Sequence, residues 1–273
     1  MIHRSVAILA AHPDDETVSA GGLMARLRLA ALIHVTDGAP RNPADARAAG
    51  FQTREDYAQA RRQELLNALD AAELSPLLTA RSGAPFGPGS EPPLRSLDLI
   101  DQEASCDMPS LVRRIGEILR ELRPAAVLTH PYEGGHPDHD ATAFAVHAAC
   151  ARMPAPPDVY EFTSYHQAPG EEQPRIETGR FLPHQDAGEV VALSAADRDR
   201  KSRMIACFAT QEHMLRHFPL DGERFRAAPV YDFSQSPHPG KLFYDYFEWG
   251  ITGERWRRLA VDAARALGIP LTL

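Results

Sequence analysis

The feature that most constrains this chain is a pair of apolar runs, each leading to histidine and aspartate. Ser5-Val6-Ala7-Ile8-Leu9-Ala10 leads into Ala11-His12-Pro13-Asp14-Asp15-Glu16. Ala125-Ala126-Val127-Leu128-Thr129 precedes His136-Pro137-Asp138-His139. A short apolar run followed by turn chemistry reads as a buried parallel strand. In open α/β sheets, ligands bind at the carboxyl ends of such strands. Two polar clusters after two strands therefore predict an α/β fold with its site at that edge of the sheet.

The rest of the pattern agrees. Gly21 to Leu29 favours helix, and Ala31 to Thr36 favours a strand ended by Asp37-Gly38. Arg54 to Ala72 carries Tyr57, Ala60, Leu65 and Leu69 at helical spacing, and Leu111 to Leu122 repeats that spacing before Pro124 stops it. Residues 138–151 read as a further helix. Strand alternating with helix implies βαβ units, hence a Rossmann-like three-layer fold with a mainly parallel sheet. The last third reads as loop-rich, with a strand at Val190 to Leu193, a helix from Ala195 to about Thr210 capped by Ser194, and a helix over 252–267. Loops are expected over 37–53, 81–97, 166–188 and 211–245. With no internal repeat and no low-complexity linker, residues 1–273 are expected to form a single domain.

Composition narrows the function. A formal charge of −8 argues against nucleic acid as partner, because phosphate binding needs clustered Lys and Arg. Cys106, Cys150 and Cys207 form neither a disulfide framework nor a Cys-x-x-Cys site, which fits a reducing compartment and a cytoplasmic protein. The N-terminal apolar run is too short for a secretory signal and no run is long enough to span a bilayer, so stable membrane insertion is not expected. The expected partner is a small molecule; the sequence leaves a homo-oligomer open.

The clusters themselves suggest metal chemistry. His12 and Asp15, three apart around a turn in which Pro13 fixes φ, can reach one ion. His139, near a helix start, can complete a three-ligand site with one open position, as catalytic zinc requires. Asp14 is then held nearby as a general base, and His136, as an imidazolium, can stabilise an oxyanion or protonate a leaving amine. Asp138 can orient a ligand imidazole or simply cap a helix. Glu16 can bond local backbone or line the site. His130 ends its strand and can face the site, whereas His34 reads as a core residue. His147 belongs on a helix face. His166, His184, His213, His217 and His238 read as surface positions. Gly21-Gly22 is not followed by the Gly-x-Gly-x-x-Gly pattern of nicotinamide binding.

Ala11-His12-Pro13-Asp14-Asp15-Glu16 together with Gly135-His136-Pro137-Asp138-His139 resembles the zinc-dependent N-acetylglucosaminyl deacetylase family, called PIG-L or LmbE-like. Thr36-Asp37-Gly38, Arg61-Arg62-Gln63-Glu64 and the segment from Lys201 to Gln211 fit as well. The resemblance implies a Rossmann-like fold, zinc held by His12, Asp15 and His139, Asp14 as base, and His136 at the reacting centre. It also implies hydrolysis of an N-acyl group, N-acetyl above all, from an amino sugar or its conjugate. Some members carry a carbonyl-polarising tyrosine two residues before the position of His136. Here that residue is Gly134; the nearest tyrosine, Tyr132, is a candidate substrate contact, and His136 is expected to carry more of the burden. Arg54 and Arg81, with Arg41 and Arg95, lie in or beside the loops and are candidates for a phosphate or carboxylate on the substrate, against the default of a solvated arginine. Two other readings compete: a metal-dependent phosphoester hydrolase, which would need more ligands, and a non-catalytic sugar- or nucleotide-binding protein on the same fold, which would not need Asp14 and His136.

Overall fold

A computed structural model describes residues 4–74, 94–183 and 185–273. The first apolar run forms β1 (Ser5–Ala10), buried from Val6 onward and placed in the interior of the main sheet. It pairs in parallel with β2 (Arg28–Pro40) on one side and β4 (Ala126–Thr129) on the other. Outside these lie β3 (Leu94–Asp101), parallel to β2, and β5 (Asp158–Phe162), parallel to β4. The chain thus winds outward in both directions from β1. The strand order reverses between β1 and β4, and the crevice outside their carboxyl ends is where ligands bind in such sheets.

Side chains of β1 alternate between two cores, as the period of a strand requires. Val6 and Ile8 pack with α1 (Asp15–Met24), α3 (Arg54–Ala71) and α6 (Ala195–Ile205), through Val18, Leu65 and Met204 among others. Ala7 and Leu9 face α4 (Met108–Leu122), α5 (Pro137–Ala151) and α8 (Gly253–Leu267), through Ile115, Phe144 and Trp256. Helices on both faces of a largely parallel sheet give the three-layer architecture expected. Ser194 caps α6 in a capping box with Asp197, so that helix starts where its sequence signal lies. It ends at Ile205, and a short 3-10 turn at Ala209–Gln211 follows.

The expected loops hold more structure than their sequences suggested. The first contains α2 (Ala44–Ala48), and the second overlaps β3. Within 166–188 lie a hairpin of β6 (Tyr165–Gln167) and β7 (Ile176–Thr178), in a sheet of their own. The strand expected near 190 is β8 (Glu189–Ala192), an exposed edge strand antiparallel to its neighbour. The region 211–245 includes α7 (Glu212–Leu215) and β9 (Gly222–Ala227), which joins the main sheet between β5 and β8. The sequence Gly-Glu-Arg-Phe-Arg-Ala hides β9 because its buried polar residues are paired across the fold. Glu223 accepts the N–H groups of Gly22 and Leu23 and faces Lys201 at 3.3 Å, and Arg226 meets Glu161 of β5 at 2.7 Å. No helix among the described residues is long and apolar enough to cross a membrane.

Candidate metal centre and active site

The end of β1 is pinned on both sides before the chain turns. Thr36 of β2 donates N–H and hydroxyl bonds to the Ala11 carbonyl at 2.8 and 3.0 Å, and Thr129 of β4 donates to the Leu9 carbonyl at 3.0 Å. The His12 N–H then donates to Asp15 Oδ2 at 2.7 Å, closing the turn. Asp14 takes a backbone conformation rare outside glycine, φ 150° and ψ −24°, and its side chain caps nothing. Arg61 of α3 reaches under the turn. Its guanidinium donates to Asp14 Oδ2 at 2.9 Å, to the Pro13 carbonyl at 3.1 Å and to the Gly38 carbonyl at 2.7 Å.

The turn after β4 closes by its own side chains. His136 is extended at the N-cap of α5, and its Nδ1 accepts the Asp138 N–H at 3.2 Å. Pro137 opens the helix, where its missing N–H costs nothing. Asp140 Oδ1 accepts the N–H groups of Glu133 and Gly134 at 3.2 and 3.0 Å. Asp138 Oδ1 and Oδ2 accept the N–H groups of Ala104 and Gln102, so Asp138 ties the end of β3 to the site rather than capping α5.

These two turns bring two imidazole nitrogens and both oxygens of one carboxyl together. His12 Nδ1 lies 3.2 Å from Asp15 Oδ2, His139 Nε2 lies 3.2 Å from Asp15 Oδ1, and the two imidazole nitrogens are 3.2 Å apart. Donor groups so close can hold a cation among them. Ligands about 2.0–2.1 Å from a tetrahedral zinc lie about 3.3 Å from one another, and two imidazoles with a carboxylate are a zinc donor set. The residues therefore fit zinc. Both imidazoles are held from behind: His12 Nε2 faces Asp101 Oδ1 at 3.1 Å and Asp138 Oδ2 at 3.4 Å, and His139 Nδ1 meets Ser164 Oγ at 3.2 Å. His130 stacks on His139 with centroids 4.0 Å apart, and its Nε2 accepts the Ala11 N–H while lying 3.2 Å from Asp15 Oδ2.

Electrostatics follow from burial and these neighbours. Burial opposes the charge of Asp15, yet His139, His130 and His12 hold its carboxyl well below the ordinary range. Burial pushes Asp14 up to about 8 against the pull of Arg61. Burial, with His12 alongside, holds His136 well below the ordinary imidazole range. Burial therefore favours the neutral ring of His136 over the imidazolium. With Nδ1 accepting, its proton sits on Nε2, 3.6 Å from Asp101 Oδ1.

His12, Asp14, Asp15, His136 and His139 all line one cavity of about 140 Å³, together with Asp101, Arg61, Tyr165 and Trp249. The cavity continues into a groove of about 740 Å³ that shares Arg61, Asp101 and Trp249 and adds Phe51 and Tyr57. Other expected contacts lie elsewhere. Tyr132 is 1% exposed; its hydroxyl donates to the Gln235 carbonyl at 2.8 Å and its ring stacks on Trp256, so it belongs to the core. Arg54 is held by Asp37 at 2.5 Å, Arg41 by Glu103 and Arg95 by Glu121, and none of the three lines the cavity or the groove. Arg81 and His184 fall outside the described residues. His34 is buried against Glu16 at 2.8 Å, and His213, read as a surface residue, lines the cavity. Sequence reasoning missed Asp101, Ser164, Tyr165 and Trp249. Asp101 had a signal, an acid closing the apolar Leu97-Asp98-Leu99-Ile100 stretch, but the strand itself went unread.

Residues 7–150 match the family model described as PIG-L, GlcNAc-PI de-N-acetylase. A Bacillus cereus protein named probable N-acetyl-alpha-D-glucosaminyl L-malate deacetylase 2 is 30% identical over 158 residues, covering 56% of this chain and 64% of that protein. A Tsukamurella paurometabola protein named 1D-myo-inositol 2-acetamido-2-deoxy-alpha-D-glucopyranoside deacetylase is 34% identical over 173 residues, covering 54% and 57%. The chain thus spans about three-fifths of the length of these curated relatives. Among solved structures, a deacetylase–teicoplanin complex aligns with a TM-score of 0.55 at 18% identity, covering 81% of this chain and 96% of that one. The 4-carboxy-2-hydroxymuconate hydratase GalB aligns with a TM-score of 0.50 at 20% identity, covering 78% and 82%. At such identities the likeness concerns the fold alone.

Proposed function

The chain belongs to the PIG-L family of GlcNAc-PI de-N-acetylases, and from that membership we propose a zinc-dependent hydrolase that removes the N-acetyl group from an N-acetylglucosamine conjugate. The observation that carries this reading is the meeting of His12, Asp15 and His139, whose imidazole nitrogens lie 3.2 Å apart and each 3.2 Å from one oxygen of the Asp15 carboxyl, beside the buried Asp14. We take residues 1–273 to act as one domain, in the cytoplasm, where Cys106, Cys150 and Cys207 stay reduced.

His12, Asp15 and His139 would hold the zinc. When bound, zinc supplies a Lewis acid for the amide carbonyl and brings the pKa of a water towards neutrality. In its charged form, which Arg61 favours against burial, Asp14 takes the proton of the attacking water, and Arg61 fixes its carboxylate against the turn. The amide nitrogen must gain a proton before the C–N bond breaks, and the proton on Asp14 balances that need, leaving acetate and a free amine. His136 offers its Nε2 proton as a hydrogen bond to the reacting centre, and Asp101, beside both His12 and His136, keeps the two rings in register. Trp249, 5.0 Å from the His136 ring, gives the sugar an apolar face where cavity and groove meet.

Two findings weigh against a solvated phosphoester substrate: Arg41, Arg54 and Arg95 are committed to carboxylates, and the cavity lining is rich in acids. The test is direct. Purified protein is expected to bind about one zinc per chain and, so loaded, to release acetate from N-acetylglucosaminyl conjugates of malate or inositol, the two classes named for the relatives. Zinc-loaded protein that releases no acetate from either, nor from free N-acetylglucosamine, would refute the hydrolase reading.

A further inference from the structure

Attack on an amide makes a tetrahedral centre whose oxygen carries a full negative charge, and a donor aimed at that oxygen is commonly worth 2 or more orders of magnitude in rate, on the order of 10²–10³. The residues around the cavity can be sorted by whether they have a donor to spare. Arg61 spends its terminal nitrogens on Asp14, Pro13 and Gly38. Position 134 cannot supply a side chain, because Gly134 stands at φ 72° and a Cβ there would lie 2.6 Å from Leu242. Tyr132, two residues earlier, has turned into the core.

The geometry points to Tyr165 as a catalytic residue, its phenol hydroxyl donating to the oxygen of the tetrahedral intermediate. This rests on the amide-hydrolase reading above. Tyr165 starts β6, beyond the carboxyl end of β5, and lines the same cavity as His12, Asp15, His136 and His139. Its ring meets His139 edge to face with centroids 5.2 Å apart, and Phe218 and Phe243 pack its other sides at 6.5 and 5.7 Å. The side chain is therefore fixed in advance, as electrostatic catalysis requires. Asp14, Asp15 and Asp101 line the same cavity as Tyr165. Every hydrogen bond found for those carboxylates among the described residues goes to another group. A phenol keeps its proton at neutral pH and is a donor there.

The backbone makes the same connection. A Cβ on Gly135 would sit 1.9 Å from the Tyr165 carbonyl oxygen, so the strand start and the His136 turn touch directly. The adjacent Ser164 holds His139 Nδ1. One short segment, Ser164-Tyr165, thus orients a ligand imidazole with one side chain and presents a donor to the cavity with the next.

The experiment compares zinc-loaded wild type with Tyr165→Phe, with Tyr132→Phe as a control whose hydroxyl serves only the core. The probes are glucosamine and its N-methylphosphonyl derivative, whose tetrahedral anionic phosphorus imitates the intermediate. Tyr165→Phe is expected to keep its zinc and its melting temperature. It should lose about 10²-fold in kcat with KM within about threefold, and bind the phosphonyl probe about tenfold or more weakly while binding glucosamine unchanged. Equal affinity of both proteins for the phosphonyl probe would overturn the assignment. So would parallel loss of both probes, which would make Tyr165 a ground-state sugar contact. If wild type hydrolyses no N-acetyl sugar, the hydrolase reading fails by itself; titration of the phosphonyl probe still decides whether Tyr165 serves a tetrahedral anion, and absence of binding to wild type counts against it.

Discussion

The turn after β1 enters its helix through Asp14, at φ 150° and ψ −24°, with no side chain capping the helix. The turn after β4 enters its helix through His136, in ordinary extended conformation, whose own Nδ1 accepts the N–H two residues on. Both read His-Pro-Asp in sequence. The first takes only one local backbone N–H on Asp15, that of His12, so that Asp15 can still face the imidazoles of His12 and His139 and Asp14 can face the cavity; Arg61, 47 residues away, holds the turn from outside. The second spends its acids on backbone: Asp138 on Gln102 and Ala104, Asp140 on Glu133 and Gly134. Its imidazoles are what remain for chemistry. The same three residue types thus give an acidic half-site in one place and a basic half-site in the other.

The largest effect should come from removing one ligand from each half. His12→Ala and His139→Ala are each expected to abolish zinc binding and reduce turnover to background, since two ligands cannot hold the ion that three do. Elemental analysis finding full zinc in His139→Ala protein would break the pairing of the two turns and leave the centre to the first.

A finer contrast separates the non-ligand members. Asp14→Asn keeps shape but cannot take a proton, and should retain zinc while losing about two to four orders of magnitude in kcat. His136→Ala should also retain zinc and lose less, about 10²-fold, because it removes one hydrogen bond rather than the base. A kcat for Asp14→Asn above that of His136→Ala would reverse the division of labour between acidic and basic halves.

How much of this was legible depended on whether the chemistry was contiguous. His12, Asp14, Asp15, His136 and His139 stand in two short stretches after apolar strands, and the structure brings all five to one cavity. Asp101 and Tyr165 come from other strand ends, each alone in its segment, and only the sheet order places β3 and β5 around the pair β1 and β4. Tyr132 misled through proximity in sequence. Three residues lie between it and His136, yet the chain bends in the left-handed region at Gly134, and Tyr132 ends in the core while His136 lines the cavity. β9 was unreadable for the reason that it is stable, its charged residues being matched by Lys201 and Glu161 on distant elements.

Close packing distinguishes the second turn in a way that stability can measure. Gly135→Ala would drive a methyl group into the Tyr165 carbonyl, and neither backbone can move without disturbing a donor to the site. Urea unfolding should show a loss of about 1–3 kcal/mol, the usual cost of overpacking. An unchanged midpoint would mean that the strand start and the turn part easily, and that the second turn is less rigid than its hydrogen bonds imply.

The smallest effect concerns Glu133, the acid of the second turn that faces backbone rather than a ligand. Its Oε1 accepts the Leu182 N–H at 2.9 Å, while Oε2 is buried without a hydrogen-bond partner. Burial raises its pKa to about 8, with Arg226 opposing that rise. A carboxyl raised in the folded state binds a proton there that the unfolded chain has already released above about pH 4.5. Its contribution to stability is therefore complete at low pH and is lost as pH climbs through about 8. Glu133→Gln keeps an acceptor for Leu182 without carrying a charge. The variant should match wild type near pH 5 and exceed it near pH 9, by on the order of 1 kcal/mol in urea titrations at the two pH values. A wild type that gains stability across that interval relative to Glu133→Gln would show the acid to be charged and paired, making the second turn resemble the first.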